Sequence, residues 1–396
     1  MKKPEVSVTL KDHKKHAALA KPSTGNFGRN EWAIVGAPCV NIKLLANDVI
    51  QALSPKYKCA YVDASHNDEV VSLPGRLAAG AYLEYVDQQN HHQFNYNTQL
   101  SPADLKQNFS DADMVLVNGN HQQAKAQVVI IHPNKVASLQ KRLDQLTNVQ
   151  LILLAEGADD VFDFVKETLI NWQQIPLYRL SETDKIIAFF AEKMELSKPP
   201  LKGLVLAGGQ SLRMGHDKGA VNWHGTEQRY YLADLLGSFC SEVYLSCRAE
   251  QAQTFDSQYQ TVEDTFTGLG PFGAILSAFR KDPNSAWLVV ACDLPLLDRL
   301  ALQYLVDNRD TSAVATAYKN ETEGFPEPLI TIWEPRAYPR LLNYLSQGYS
   351  CPRKVLINSD IKLLQALDSK ALTNVNTPEE LEEIKEQLKI KNISMQ

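Results

Sequence analysis

Apolar, β-branched runs alternate with helix-patterned stretches along both halves of this 396-residue chain, and that alternation predicts an α/β protein with mainly parallel sheets. The length exceeds what one core comfortably fills, which argues for more than one domain. The alternation is broken once, at Leu196-Ser-Lys-Pro-Pro200, where paired prolines follow a charged helical run from Lys185 to Met194. The reading is an arm over residues 1–30, a first α/β domain over 31–195, a linker over 196–200 and a second α/β domain over 201–396.

In the first domain, Glu31-Trp-Ala-Ile-Val-Gly36 reads as a strand entering a turn. The stretch Lys43 to Leu53 follows with Leu44, Leu45, Val49, Ile50 and Leu53 at near-helical spacing. Further strands are expected at Cys59–Asp63, Asp113–Val117, Gln127–Ile131 and Val149–Leu154, and helices at Val136–Leu146 and Asp159–Trp172. The polar stretch Gln88 to Tyr96 is expected as a loop or an edge hairpin, with His91 and His92 exposed.

The second domain repeats the alternation. Strands are expected at Gly203–Ala207, Glu242–Ser246, Trp287–Asp293, Ala313–Ala317 and Pro328–Trp333, and helices at Tyr230–Phe239, Gly273–Phe279 and Arg336–Leu345. The last helix starts at Thr377-Pro-Glu-Glu380, which offers an N-cap threonine, a proline at the first helical position and a capping-box glutamate.

Charge and cysteine usage exclude several functions. The net charge of -6 argues against a general nucleic-acid binder, and Lys2, Lys3, Lys11, Lys14 and Lys15 read as a solvated arm mixed with Glu5 and Asp12. No apolar run reaches the ~18 residues of a membrane span, and no secretory signal follows the N-terminal lysines. Six scattered cysteines without a Cys-x-x-Cys pair fit reduced thiols, so a cytoplasmic protein is expected.

The chemistry concentrates in Leu206-Ala-Gly-Gly-Gln-Ser-Leu-Arg-Met-Gly-His-Asp-Lys218. It follows a strand directly, where open α/β sheets bind ligands. Gly208 and Gly209 let backbone N–H groups approach phosphate oxygens, and Arg213 and Lys218 add two positive charges. A triphosphate carries about four negative charges, and expelling pyrophosphate asks for such donors. Asp293 ends an apolar strand and offers a hard oxygen to magnesium. Gly268, Gly270 and Gly273 fit either a close approach to a ligand or a tight turn.

This pattern resembles the signature of the molybdenum cofactor guanylyltransferases, and the resemblance extends over most of Leu201 to Leu388. Glu263-Asp-Thr-Phe-Thr-Gly-Leu-Gly-Pro-Phe-Gly-Ala274 looks like that family's second motif, Cys292-Asp-Leu-Pro295 like its Cys-Asp-x-Pro, and Pro326-Glu-Pro-Leu329 like a substrate-facing loop. Asn374-Val-Asn-Thr-Pro-Glu-Glu380 looks like its closing motif. The resemblance implies a Rossmann-like nucleotidyltransferase that moves GMP from GTP to the phosphate of molybdopterin, with Mg2+. It implies Leu206, Ala207, Gly208, Gly209, Lys218, Asp264 and Asp293 as nucleotide-binding, and Arg213, Lys218 and Asp293 as catalytic. Gly270, Pro271, Gly273, Asn374 and Asn376 would face the pterin substrate, and a molybdoenzyme or its chaperone would receive the product. Ser246-Cys247-Arg248 departs from the family, which often carries Asn after the second strand. The Ala-Gly-Gly and Cys-Asp-x-Pro forms favour guanine. A cytidylyltransferase, a sugar-phosphate nucleotidyltransferase and a non-catalytic cofactor carrier remain as alternatives.

The first domain has the strand–turn–helix order of a P-loop domain, but Gly36-Ala-Pro-Cys-Val-Asn-Ile-Lys43 puts Asn41, Ile42 and Lys43 where Gly-Lys-Ser/Thr belongs. No nucleotide hydrolysis is expected there. Asp113-Met-Val-Leu-Val-Asn-Gly-Asn120 resembles the Val-Glu-Gly strand end of the molybdopterin-guanine dinucleotide adapter proteins, with Asn118 in place of the glutamate. The resemblance implies a degenerate adapter that binds the cofactor, an acceptor enzyme or another copy of the chain; a purely structural companion stays open beside it.

Overall fold

The computed structural model describes residues 18–65, 73, 75–209, 217–321 and 323–393. Two compact units emerge, one from Ser23 to Lys198 and one from Pro199 onward together with the segment ending at Pro22.

In the first unit, strands β1 (Glu31–Val35), β2 (Cys59–Val62), β5 (Met114–Asn118), β6 (Ala126–Ile131), β7 (Val149–Leu154) and β8 (Leu177–Arg179) form one parallel sheet in the order β2-β5-β1-β6-β7-β8. The central strands are apolar on both faces because helices cover both. Trp32 and Ile34 of β1 pack with α1 (Cys39–Leu53) and α5 (Thr183–Leu196), while Val35 packs on the opposite side with Leu139 and Val165. Those two residues belong to α3 (Val136–Gln140) and α4 (Asp163–Thr168). Helix α2 (Pro102–Asn108) lies before β5, with Leu105 against Val115 and Val117. Buried Glu31 accepts the amides of Asn26, Phe27, Gly28 and Lys125 at 2.7–3.0 Å, which ties the entry segment to β1.

Strands β3 (Leu83–Asp87) and β4 (His92–Tyr96) form a two-stranded antiparallel sheet, the hairpin expected as one alternative for Gln88–Tyr96. Other elements differ from the sequence expectation. The helix expected over Val136–Leu146 stops at Gln140. The Arg142 guanidinium donates to the Ser138 carbonyl at 2.8 Å and hydroxyl at 2.6 Å, competing with the helical ladder. The helix expected over Asp159–Trp172 shrinks to α4, because Asp160 takes the Val161 amide (2.7 Å) and Lys166 (2.7 Å) ahead of the first turn. Helix α1 begins at Cys39 and not at Lys43, so residues 41–43 are already helical and the turn after β1 is short.

In the second unit, β9 (Leu201–Leu206), β10 (Val243–Cys247), β11 (Gln260–Glu263), β12 (Ala286–Ala291), β13 (Ala315–Lys319), β14 (Pro326–Trp333) and β15 (Ile361–Leu364) form a seven-stranded sheet ordered β11-β10-β9-β12-β14-β13-β15. Only β14 runs antiparallel to its neighbours. Leu288 and Val290 face the core with α6 (Gln228–Leu236) and α8 (Arg299–Asp307). Trp287 and Val289 face α7 (Pro271–Lys281), α9 (Ala337–Ser346) and α10 (Pro352–Ile357). The final helix, α11 (Pro378–Ile393), starts at the expected capping box: Glu380 accepts the Thr377 amide (3.2 Å) and Thr377 Oγ1 accepts that of Glu380 (3.3 Å). The chain leaves β9 toward β10 on one side and leaves β12 toward β13 and β14 on the other. This reversal opens a crevice at the carboxyl ends of β9 and β12, which lie in register at Leu206 and Ala291.

Candidate active site

The crevice is an open cleft of about 200 Å³ at the carboxyl ends of these two strands. The glycine turn, Lys218, Asp264, Gly270, Pro271 and Asp293 all line it. Arg213 lies outside the described residues.

The turn after β9 carries Ala207, Gly208 and Gly209. A Cβ on Gly208 would stand 3.3 Å from Cys247 Cα and 3.5 Å from the Arg248 nitrogen, so β10 itself crowds this position. A Cβ on Gly209 would meet nothing within 4 Å. Among the described residues, packing therefore makes no demand for glycine at 209.

Lys218 opens a short 3-10 turn that Asp217 caps by accepting the Gly219 amide at 2.9 Å. Arg229, 4% exposed, donates to the other oxygen of Asp217 at 2.7 Å. This tether fixes the backbone from which Lys218 reaches the cleft. Its ammonium donates to Asn376 Oδ1 at 2.8 Å and stands 3.6 Å from Asp293 Oδ2. Asp293 follows β12, and its carbonyl accepts the Val375 amide at 2.8 Å, which brings the 374–376 segment alongside. Burial pushes the Asp293 carboxyl up, with Lys218 opposing. Its Oδ1 is buried and has no hydrogen-bond donor among the described residues. A lone carboxylate oxygen beside a phosphate-sized space suits Mg2+, which takes one or two carboxylates and fills its shell with substrate oxygens and water.

Asp264, just past β11, donates its amide to the Cys247 carbonyl at 2.8 Å and accepts the Ser246 hydroxyl at 2.9 Å. Burial pushes this carboxyl up as well, and the Ser246 hydrogen bond opposes the shift. In the sequence Ser246 stands out only as a departure from the family; its place at the end of the second strand is the available signal. Gly270 sits at φ 55°, ψ −138°, a conformation open to glycine, and Pro271 is the first residue of α7. Gly273 answers to the fold, since a Cβ there would fall 2.2 Å from the Phe266 carbonyl oxygen.

The closing asparagines diverge. Asn376 reaches Lys218, whereas Asn374 is exposed and lines a separate depression with Lys319, Asn320, Glu327 and Lys370. From Pro326–Leu329, Leu329 lines the main cleft, and Glu327 takes a hydrogen bond from Asn320 at 2.5 Å in the second depression.

Comparison with known proteins adds a family. The MobA-like NTP transferase domain matches residues 203–362, wholly within the second unit. A molybdenum cofactor guanylyltransferase of Pseudomonas putida is 30% identical over 194 residues, covering 47% of this chain and 97% of that one. A molybdenum cofactor biosynthesis bifunctional protein of Synechocystis sp. is 35% identical over 201 residues, covering 50% of this chain. The match spans 58% of that relative's length, a little over half. Among solved structures, the molybdopterin-guanine dinucleotide biosynthesis protein A of Archaeoglobus fulgidus is similar with a TM-score of 0.41 and 24% identity, over 47% of this chain and 97% of that one.

Proposed function

Because the chain belongs, through its second unit, to the molybdenum cofactor guanylyltransferase family, we propose that it transfers GMP from GTP to the terminal phosphate of molybdopterin and releases pyrophosphate. The observation that carries this reading is the pairing, at the mouth of β9 and β12, of a glycine turn with Lys218 and an Asp293 oxygen that has no hydrogen-bond partner among the described residues. The turn's amides cradle phosphate oxygens, and Gly209 is the residue whose missing side chain leaves room for them. Lys218, already drawn toward Asp293, exchanges its Asn376 contact for the phosphates, and Arg213 of the same loop adds a second cation. Asp293 would hold Mg2+, which when bound neutralises phosphate charge as a Lewis acid. Asp264, steadied by Ser246, contacts the nucleotide from the β10–β11 side. The cofactor's terminal phosphate attacks the α-phosphorus in line; the protein contributes position and charge, and no side chain becomes a covalent nucleophile. A molybdoenzyme or its chaperone would take the product.

The test is pyrophosphate release by the purified full chain with Mg2+ and molybdenum–pterin cofactor, with GTP, CTP and ATP supplied separately. Release with GTP alone is expected. Release with CTP alone would keep the chemistry and overturn the base. No release with any triphosphate, while the cofactor still bound, would replace the enzyme with a carrier.

A further inference from the structure

The first unit assembles a second group of reactive side chains that the transferase chemistry does not use. At the carboxyl ends of β1, β2 and β5, three separate loops bring Cys39, Asp63 and His121 together. Cys39 Sγ lies 3.3 Å from His121 Nε2, and the same nitrogen lies 3.8 Å from Asp63 Oδ1. Asn120, anchored on the Ala37 carbonyl at 2.8 Å, points its Nδ2 donor at the sulfur from 3.6 Å. Asp63 is itself oriented, taking hydrogen bonds from Asn118 (2.9 Å) and Tyr61 (3.2 Å) and an ion pair from Lys43 (3.2 Å). Lys43, the lysine of the degenerate loop, is thus committed to a carboxylate. Cys39 occupies the first position of the 15-residue helix α1, whose N-terminal field favours negative charge on sulfur.

We propose that Cys39 is a nucleophilic thiol, with His121 as its proton acceptor, that forms a mixed disulfide with small disulfide molecules. The base lies within reach of the nucleophile, and the same nitrogen faces Asp63, so a proton taken from the sulfur sits beside a carboxylate that stabilises it. The thiol proton moves to His121 Nε2 as sulfur attacks one sulfur of the disulfide. The disulfide S–S bond breaks, and its electron pair leaves with the other sulfur, which takes the proton from His121 and departs as a thiol. Cys39 is oxidised to the mixed disulfide and the small disulfide is reduced. Asp63 favours the imidazolium in between, and the Asn120 donor favours the thiolate. Cys39 is only partly exposed, and His121 and Asp63 are 10% and 17% exposed, so a small reagent fits the site better than a protein thiol.

The experiment treats the full native chain with bis(2-hydroxyethyl) disulfide, a neutral probe, and follows each cysteine by peptide mass mapping. Exposed Cys351 serves as the internal reference. Cys39 is expected to form the mixed disulfide at least ~10-fold faster than Cys351, and to lose that lead in urea, where the cluster is dispersed. His121→Gln and Asp63→Asn, each checked for native unfolding behaviour, are expected to slow Cys39 and leave Cys351 unchanged. Equal rates at the two cysteines in the native wild-type chain would overturn the proposal whatever the variants do. So would a Cys39 rate unaffected by both substitutions.

Discussion

Two glycines of the second unit separate what the fold requires from what the cleft requires. At Gly273 a Cβ would sit 2.2 Å from the Phe266 carbonyl oxygen, so alanine forces the loop or the start of α7 to move by nearly an ångström. Overpacking of that kind costs about 1–3 kcal/mol. At Gly209 a Cβ meets nothing within 4 Å among the described residues, and its φ lies outside the left-handed region. Gly209→Ala is therefore expected to leave stability unchanged or raise it by about 0.4–1 kcal/mol through the unfolded chain. Its effect should fall on turnover, because the methyl occupies the space through which the backbone amide meets phosphate. Losing one such donor costs about 10²-fold or more in rate. For a domain of this size, 1 kcal/mol moves the midpoint by about 2–4 °C, within reach of thermal unfolding followed by circular dichroism. The expected pattern is a crossed one: Gly273→Ala melts early, while Gly209→Ala melts normally and releases little pyrophosphate. Wild-type turnover in Gly209→Ala would refute the placement of phosphate at this turn. A melting loss in Gly209→Ala equal to that in Gly273→Ala would refute the packing argument.

Lys218→Ala and Asp293→Asn should each lower pyrophosphate release by at least ~10²-fold, since both remove charge aimed at the transferred phosphates; wild-type rates in both would defeat the mechanism. Ser246→Ala should move the acid limb of the pH–rate profile upward. The hydroxyl donates to the ionised form of Asp264 and so favours it, while burial favours the neutral acid; deleting the donor leaves only Arg248 against burial, and Asp264 ionises at higher pH. An acid limb unmoved or shifted downward would remove Asp264 from the rate-determining ionisations. Glu334 is fully buried, and its Oε2 accepts from the Arg309 guanidinium at 2.9 Å, so Glu334→Ala strands a charge and should cost about 3–5 kcal/mol in urea unfolding. A loss under 1 kcal/mol would mean that water reaches Arg309.

The sequence was most informative where chemistry follows a single strand. Apolar β9 and β12 are recognisable as buried strands, and Gly208, Gly209, Lys218 and Asp293 stand in the loops directly after them. Edge elements were harder to read. Strands β8, β11 and β15 are three or four residues long, too short for a period to show, and they exist because a longer neighbour offers a free edge. Helices α3 and α4 failed in the opposite sense: their patterns are helical, but Arg142 and Asp160 draw hydrogen bonds away from the ladder, and such competition depends on side-chain geometry.

The same distinction explains why the first unit yielded so little from its residues alone. The turn after β1 could be judged against a nucleotide loop because that loop is contiguous, and it lacks the required residues. What the fold puts at the mouth of that turn is drawn from residues 39, 63 and 121, separated by 24 and 58 positions, and no spacing rule links them. They meet because β1, β2 and β5 are adjacent and parallel, so their following loops converge at one end of the sheet. Helix α1 starts at Cys39, so Lys43 lies one turn further along and pairs with Asp63.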